Sequence, residues 1–148
     1  MELFVQYESI CTDSYREDRE YGDWSEDFDF EVKSVSVTSR GQWSGLAHRE
    51  ERFNLAVDAD YGDRVYVLYM IYSSGDSFGH GTGYNEIIWV FKDPEVGRQA
   101  QDSIRANGES FSIDFKDEAG NKISFSNPGA GYFENIQGVY LEAYILQP

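Results

Sequence analysis

The residues best suited to chemistry sit in one glycine-rich stretch, Ser73-Ser74-Gly75-Asp76-Ser77-Phe78-Gly79-His80-Gly81-Thr82-Gly83-Tyr84-Asn85. Gly75-Asp76-Ser77-Phe78-Gly79 fits the G-x-S-x-G string, in which a serine stands on a sharp strand-to-helix turn. A helix must follow directly, and the glycines at 79, 81 and 83 oppose one. A histidine should also lie well downstream, yet the only later one is His80, three residues on. A Ser77–His80 hydrolase is thus the weakest reading, because nucleophilic catalysis needs a positioned serine–base pair. No Lys-Ser/Thr closes the glycine run, so it is not a phosphate-binding P-loop. A non-catalytic role fits better. Backbone N–H groups of such a loop can cradle an anion, with Asp76, Ser77, His80 and Thr82 placed to read a nucleotide or signalling metabolite. Asp76 and Glu86 oppose that reading by repulsion. The structural alternative is a long turn, since hairpin loops usually take about 2–5 residues and the stretch 73–85 has about a dozen.

The second concentration of chemistry is electrostatic. Residues 1–31 carry eleven acids against two bases, Arg16 and Arg19, a local charge of −9 out of −15 for the whole chain. Tyr15, Tyr21, Trp24 and Phe28 are interspersed with them. Solvating acidic tails are usually poor in aromatics, so segment 8–31 is expected to be ordered, with rings anchoring a display of carboxylates. Such a display steers a Lys/Arg-rich surface into contact. The expected docking residues are Asp13, Glu17, Asp18, Glu20, Tyr21, Asp23, Trp24, Glu26, Asp27 and Asp29. Carboxylates spaced like phosphates would mimic a nucleic acid and block the enzyme that binds it. In charge and size, though in no motif, such a protein resembles phage counter-defence inhibitors and toxin immunity proteins. The alternatives are plain solubility and a divalent cation. Asp58-Ala59-Asp60-Tyr61-Gly62-Asp63 begins like a calcium loop, but its fifth position is Gly and its sixth is Asp, the reverse of the EF-hand order. Neither a metal nor a cofactor is expected.

Composition bounds these readings. The chain has 148 residues, 41% of them hydrophobic and 16% aromatic, which suits one domain, 1–148, with a core of its own. A charge of −15 excludes a protein that binds nucleic acid through clustered cations. No apolar run approaches the roughly 18 residues of a membrane helix. The start lacks a signal-peptide pattern, and the single cysteine, Cys11, has no partner for an internal disulfide. The expected compartment is the cytoplasm, that of a host cell if the chain is virus-encoded. Cys11 itself has neither histidine near it in sequence and reads as an incidental thiol.

The elements that must position these groups are mostly strands. Leu3, Val5 and Tyr7 alternate. Phe28, Phe30 and Val32 alternate on one parity and Val35 and Val37 on the other, which predicts a bulge near Lys33-Ser34. Phe53, Leu55 and Val57 form a short strand, and Tyr61-Gly62-Asp63 a turn into an apolar run over 65–72. That run and 86–91 are apolar on both faces, as central strands are. Asp93 as N-cap, Pro94 behind it, and the stripe Val96, Ala100, Ile104 predict a helix over about 94–106, stopped by Asn107-Gly108. Phe111-Ile113-Phe115 and Ile123-Phe125 flank a turn at 117–121, and Val139, Leu141, Ala143 and Ile145 make the last strand. Tyr66, Met70 and Tyr72 share a face, as do Tyr140 and Tyr144, and sheet packing is the preferred reason. The expected fold is mainly β within the α+β class. It is an antiparallel β-sandwich or bent sheet of about eight strands with one helix across it.

Overall fold

Val65, Val67, Tyr69 and Ile71 alternate with Tyr66, Leu68 and Met70, so a strand here has two faces to hide. A computed structural model of the chain places them in the middle of its main sheet. The structure describes residues 1–8, 12–15, 33–41, 48–75, 80–128, 130 and 134–148. In chain order the elements are β1 (Glu2–Glu8), β2 (Thr12–Tyr15), β3 (Lys33–Thr38), β4 (His48–Asn54), β5 (Arg64–Gly75), β6 (His80–Phe91), α1 (Pro94–Ala106), β7 (Ser112–Lys116), β8 (Lys122–Ser126) and β9 (Glu134–Gln147). Seven strands form one sheet in the order β2-β6-β5-β9-β3-β1-β4, and β7 and β8 pair separately. Of the two expected forms, the structure is the bent sheet. Among the described residues no helix is long and apolar enough to cross a membrane.

The sheet curls until its ends approach each other. The chain leaves β1 at Glu8 and returns as β2 on the edge of β6 away from β5. β1, next to the last strand of the order, is thus followed in the chain by the first, and the sheet approaches a barrel. Along the rest of that edge β4 comes beside β6, where Phe53 packs edge-on against Trp89 at 5.5 Å between ring centres. The barrel interior is filled by Leu3, Val5, Tyr7, Val37, Val67 and Leu146 among others. A second core, built on Leu68, Met70, Phe91 and Phe115, lies outside the barrel beneath α1 and the β7–β8 hairpin. β5 therefore buries both faces, odd residues inward and even residues toward the helix.

The helix follows its end signals. The Asp93 side chain accepts from the Glu95 N–H at 2.9 Å, and Asn107 closes the far end. Gly97, Ala100 and Ile104 are its buried residues. Gly97 stands where Val96 was expected to lead the stripe, because α1 lies so close to β9 that a Cβ at 97 would meet the Leu141 methyls at 3.0 Å. Gln101 and Arg105 both donate to the Val139 carbonyl, at 2.8 and 2.9 Å, and pin the helix to β9. The turn at 117–121 is held by Asp117, which accepts from the N–H groups of Ala119 and Asn121.

Four expectations need correction or refinement. The stretch 73–85 is not a dozen-residue loop: Ser73, Ser74 and Gly75 pair with Gly83, Thr82 and Gly81, so the hairpin extends to its connection at 76–79. Glycine weakens a strand but still supplies the ladder's N–H and C=O groups, and two long neighbours carry the register onward. One strand pair is parallel, the short contact of β3 with β9 at Val37↔Leu146 and Thr38↔Gln147. On β9 Val139 is buried, but Ala143 and Ile145 are exposed and Leu146 is buried instead. The helix covers only the first part of that outward face, and the barrel interior claims the other parity beyond it. Phe111 precedes β7 and is 73% exposed. The expected bulge does occur. Between Gln6↔Ser36 and Glu8↔Lys33 the register takes one more residue of β3 than of β1.

Candidate functional site

Among the described residues no strand ladder joins β4 to β6, and the seam between them gathers unusual side chains. Glu51 pairs across the ladder with the fully buried Val5, so it projects from the barrel-facing side of β4. Glu86 pairs with Met70, a residue of the outer core, so it projects from the outward side of β6. The curl of the sheet brings these two carboxylates to one cleft of about 420 Å³. Phe53, Ile87 and Phe125 provide its apolar wall, and Ser124, Ser126 and Arg52 its polar lining.

Burial pushes Glu51 from an ordinary value near 4.5 up to about 7, and repulsion from Glu86 adds to it. Tyr7 and Arg49 act the other way and favour its charge. Burial also raises Glu86, with Arg49 opposing. Tyr7 is 0% exposed. Its hydroxyl is raised above the usual phenol range by burial and then by the charges of Glu51 and Glu86. It lies toward Glu51, yet neither the hydroxyl nor Glu51 Oε2 completes a hydrogen bond of ordinary geometry. Both amide atoms of Asn85, 7% exposed, also lack partners, as does Trp89 Nε1. Unpartnered buried polar atoms typically cost about 1–3 kcal/mol each, so their concentration along this seam is a chemical feature of it. A half-buried carboxyl that titrates near neutrality beside a second carboxylate can exchange a proton or hold a cation.

A second arrangement lies on β5 and β9. The hydroxyls of Tyr69 and Tyr144 donate to the two oxygens of Glu142, each at 2.8 Å. Tyr140 stacks on Tyr69 at 5.3 Å and is 41% exposed. Burial, then the bonds to Glu142, raise both donor phenols above their usual range. Glu142 is thereby an oriented carboxylate on the surface beside an aromatic face.

The two stretches singled out in the sequence meet at one place. β2 lies antiparallel on β6 with Asp13↔Thr82 and Tyr15↔His80, so the acidic segment starts beside the glycine-rich hairpin. Glu17, Asp18, Glu20, Tyr21, Asp23, Trp24, Glu26, Asp27 and Asp29 lie outside the described residues, as do Cys11, Asp76 and Ser77. At the calcium-like stretch, Lys92 Nζ donates to Asp63 Oδ2 at 3.0 Å and to the Asp58 carbonyl at 3.2 Å. The protein's own cation stands there. Asp63 is held below the usual carboxylate range by the Asp60 N–H first and by Lys92 second.

Sequence reasoning passed over Glu51, Glu86 and Tyr7. Glu51 did carry a mark: it shares the parity of Phe53 and Leu55, so it is a carboxylate on the apolar face of a strand. Glu86 carried none, because only strand pairing tells which of its faces meets β4. Comparison with family models, with curated proteins and with solved structures returns no match.

Proposed function

We propose that this chain is a non-enzymatic acidic binding protein that occupies a basic surface of a partner protein. The partner surface its chemistry suits is the nucleic-acid channel of a nuclease or similar enzyme, with carboxylates standing in for phosphates. The observation that carries the reading is the register of β2 on β6. It sets the backbone of Asp13 on the edge of β6 away from β5, the edge along which Glu51 and Glu86 face the seam. Internal neutralisation of the body is consistent with this. Arg52 pairs with Glu2, Lys92 with Asp63, Arg98 with Glu95 and Lys122 with Asp114. Arg105 is committed to a backbone carbonyl. Three of these pairs lie wholly beyond residue 31 and the fourth takes up Glu2, while the formal count over residues 1–31 is eleven acids against two bases. Clustered charge of this kind acts on capture rate and specificity.

The test is affinity capture at low and high salt with the wild-type chain and with a variant carrying Asp23→Asn, Glu26→Gln, Asp27→Asn and Asp29→Asn. A basic protein retained at low salt, released at high salt and lost by the variant supports the reading. Retention by a variant that melts like the wild type removes the acidic segment from the mechanism.

A further inference from the structure

We propose that the groove between α1 and the open edge of β7 takes one extended peptide segment bearing an acidic side chain, which adds to β7 as a strand and sets its carboxylate on Lys116 and Lys122. The groove is separate from the acidic segment, and the proposal stands whether or not that segment docks on a basic surface.

Three observations lead there. The first is the edge itself. The Asn127 N–H donates to the Phe111 carbonyl at 2.8 Å, and the Asp117 N–H to the Asn121 carbonyl at 3.1 Å. Bonded and non-bonded pairs alternate in an antiparallel ladder, so Ile113 and Phe115 are the residues of β7 bonded to β8. The N–H and C=O groups of Ser112, Asp114 and Lys116 point the other way. Among the described residues no strand pairs with that edge, and no hydrogen bond takes up the backbone of Asp114 or Lys116. The second observation is a groove of about 310 Å³ that Asp114, Phe115 and Lys116 border in succession. Successive side chains of a strand point to opposite faces, so three in a row meet one groove along the backbone edge. Gln99, Ala100 and Ser103 of α1 form its other wall. Ala100 and Phe115 are buried, while the side chains of Gln99 and Ser103 have no hydrogen-bond partner among the described residues. A free strand edge can seat an added peptide strand, with main-chain bonds for affinity and side-chain contacts for choice. A second copy is a poor occupant, because α1 stands where that copy's β7 and its own helix would both have to lie. The third observation is charge. Lys116 and Lys122 stand directly opposite each other in the register, a pairing that repels. Lys122 reaches Asp114 at 3.7 Å, and Lys116 has no ion pair among the described residues. The groove thus sets two cations against one acid, in a chain of charge −15. A carboxylate between the two ammonium groups relieves their repulsion, and a basic side chain adds to it.

The experiment uses the intact ¹⁵N-labelled chain and short end-blocked peptides in which valine alternates with glutamate, glutamine or lysine. They are titrated at neutral pH and constant ionic strength. The glutamate peptide should shift the backbone N–H signals of Asp114 and Lys116 to saturation and slow their exchange with solvent, because both gain acceptors. The same peptide N-methylated along its bonding edge should not bind. The glutamine peptide should bind about fivefold more weakly, and the lysine peptide more weakly still. The Lys116→Gln, Lys122→Gln double variant should keep its fold, since both side chains are exposed, and should lose the preference for glutamate over glutamine. Absence of saturable binding overturns the proposal and leaves the lysines as guards of a bare edge. Saturable shifts that leave Asp114 and Lys116 unmoved overturn it too, as does equal binding of the N-methylated peptide. Equal binding of the three side-chain forms, or a preference for glutamate that the double variant retains, refutes the choice of an acidic segment.

Discussion

Replacing Glu51 by glutamine removes a charge that the folded chain carries reluctantly above neutral pH. Burial and the neighbouring Glu86 raise this carboxyl from an ordinary value near 4.5 to about 7. Between those values the folded state holds more protons than the unfolded one, so stability falls as pH rises through that window. The favourable contribution is complete below the unfolded value and lost above the folded one. Each tenfold change in proton affinity is about 1.4 kcal/mol, which sets a ceiling of about 3.4 kcal/mol. Glu51 faces a cleft open to solvent, and screening there reduces the expected effect to about 1–2 kcal/mol. The assay is urea unfolding of wild type and Glu51→Gln at about pH 5 and about pH 8. The variant should gain about 1–2 kcal/mol on the wild type between the two, or about 3–6 °C in Tm for a chain of this size. Glu109→Gln, an exposed carboxylate on the far side of the helix C-cap, changes net charge equally and should show no such growth. A difference between Glu51→Gln and wild type that is flat with pH refutes the placement of Glu51 in the seam. Growth of the same size in Glu109→Gln refutes it too, since the effect would then belong to global charge.

Three further outcomes follow from the packing. Ile104→Ala removes a side chain with no exposure between α1 and the sheet and should lower unfolding free energy by about 2–5 kcal/mol, read from denaturant midpoints. Asp93→Ala deletes the bond to the Glu95 N–H and should cost about 1 kcal/mol, visible as a lower Tm with unchanged strand signal in circular dichroism. Tyr69→Phe deletes one of the two bonds that orient Glu142 and should cost about 1–2 kcal/mol. The Tyr69→Phe, Glu142→Gln pair should fall short of additivity in a double-mutant cycle.

Much of the scaffold was legible because its signals are local. Asp93-Pro94 opens a helix where it stands before an amphipathic stripe, and the bulge expected near Lys33-Ser34 is the extra β3 residue between Lys33 and Ser36, while Phe28, Phe30 and Val32 lie outside the described residues. The apolar run 65–72 had to be covered on both faces. The glycine-rich stretch misled for the opposite reason. Glycine is permissive, and whether it turns or stays extended is settled by neighbours that its own neighbourhood in sequence does not name. β5 and β6 are long enough to carry their pairing through Gly83 and Gly81 to Gly75. The last strand misled in the same manner. Its alternation is genuine, but which parity is covered at Ile145 and Leu146 depends on where the helix ends above it.

What the sequence alone determined, then, is the class of fold, the position of the helix, the turns, and a strongly negative chain whose charge is concentrated in residues 1–31. Those follow from spacing, end chemistry and simple counting. The curl of the sheet was decided only in three dimensions, where β4 at one end of the strand order comes beside β6 near the other. There the outward face of β6 and the inward face of β4 become neighbours, so Glu86 and Glu51 share a cleft. No periodicity can encode such a meeting, because residues on opposite faces of separate strands are brought together only when the sheet turns back upon itself.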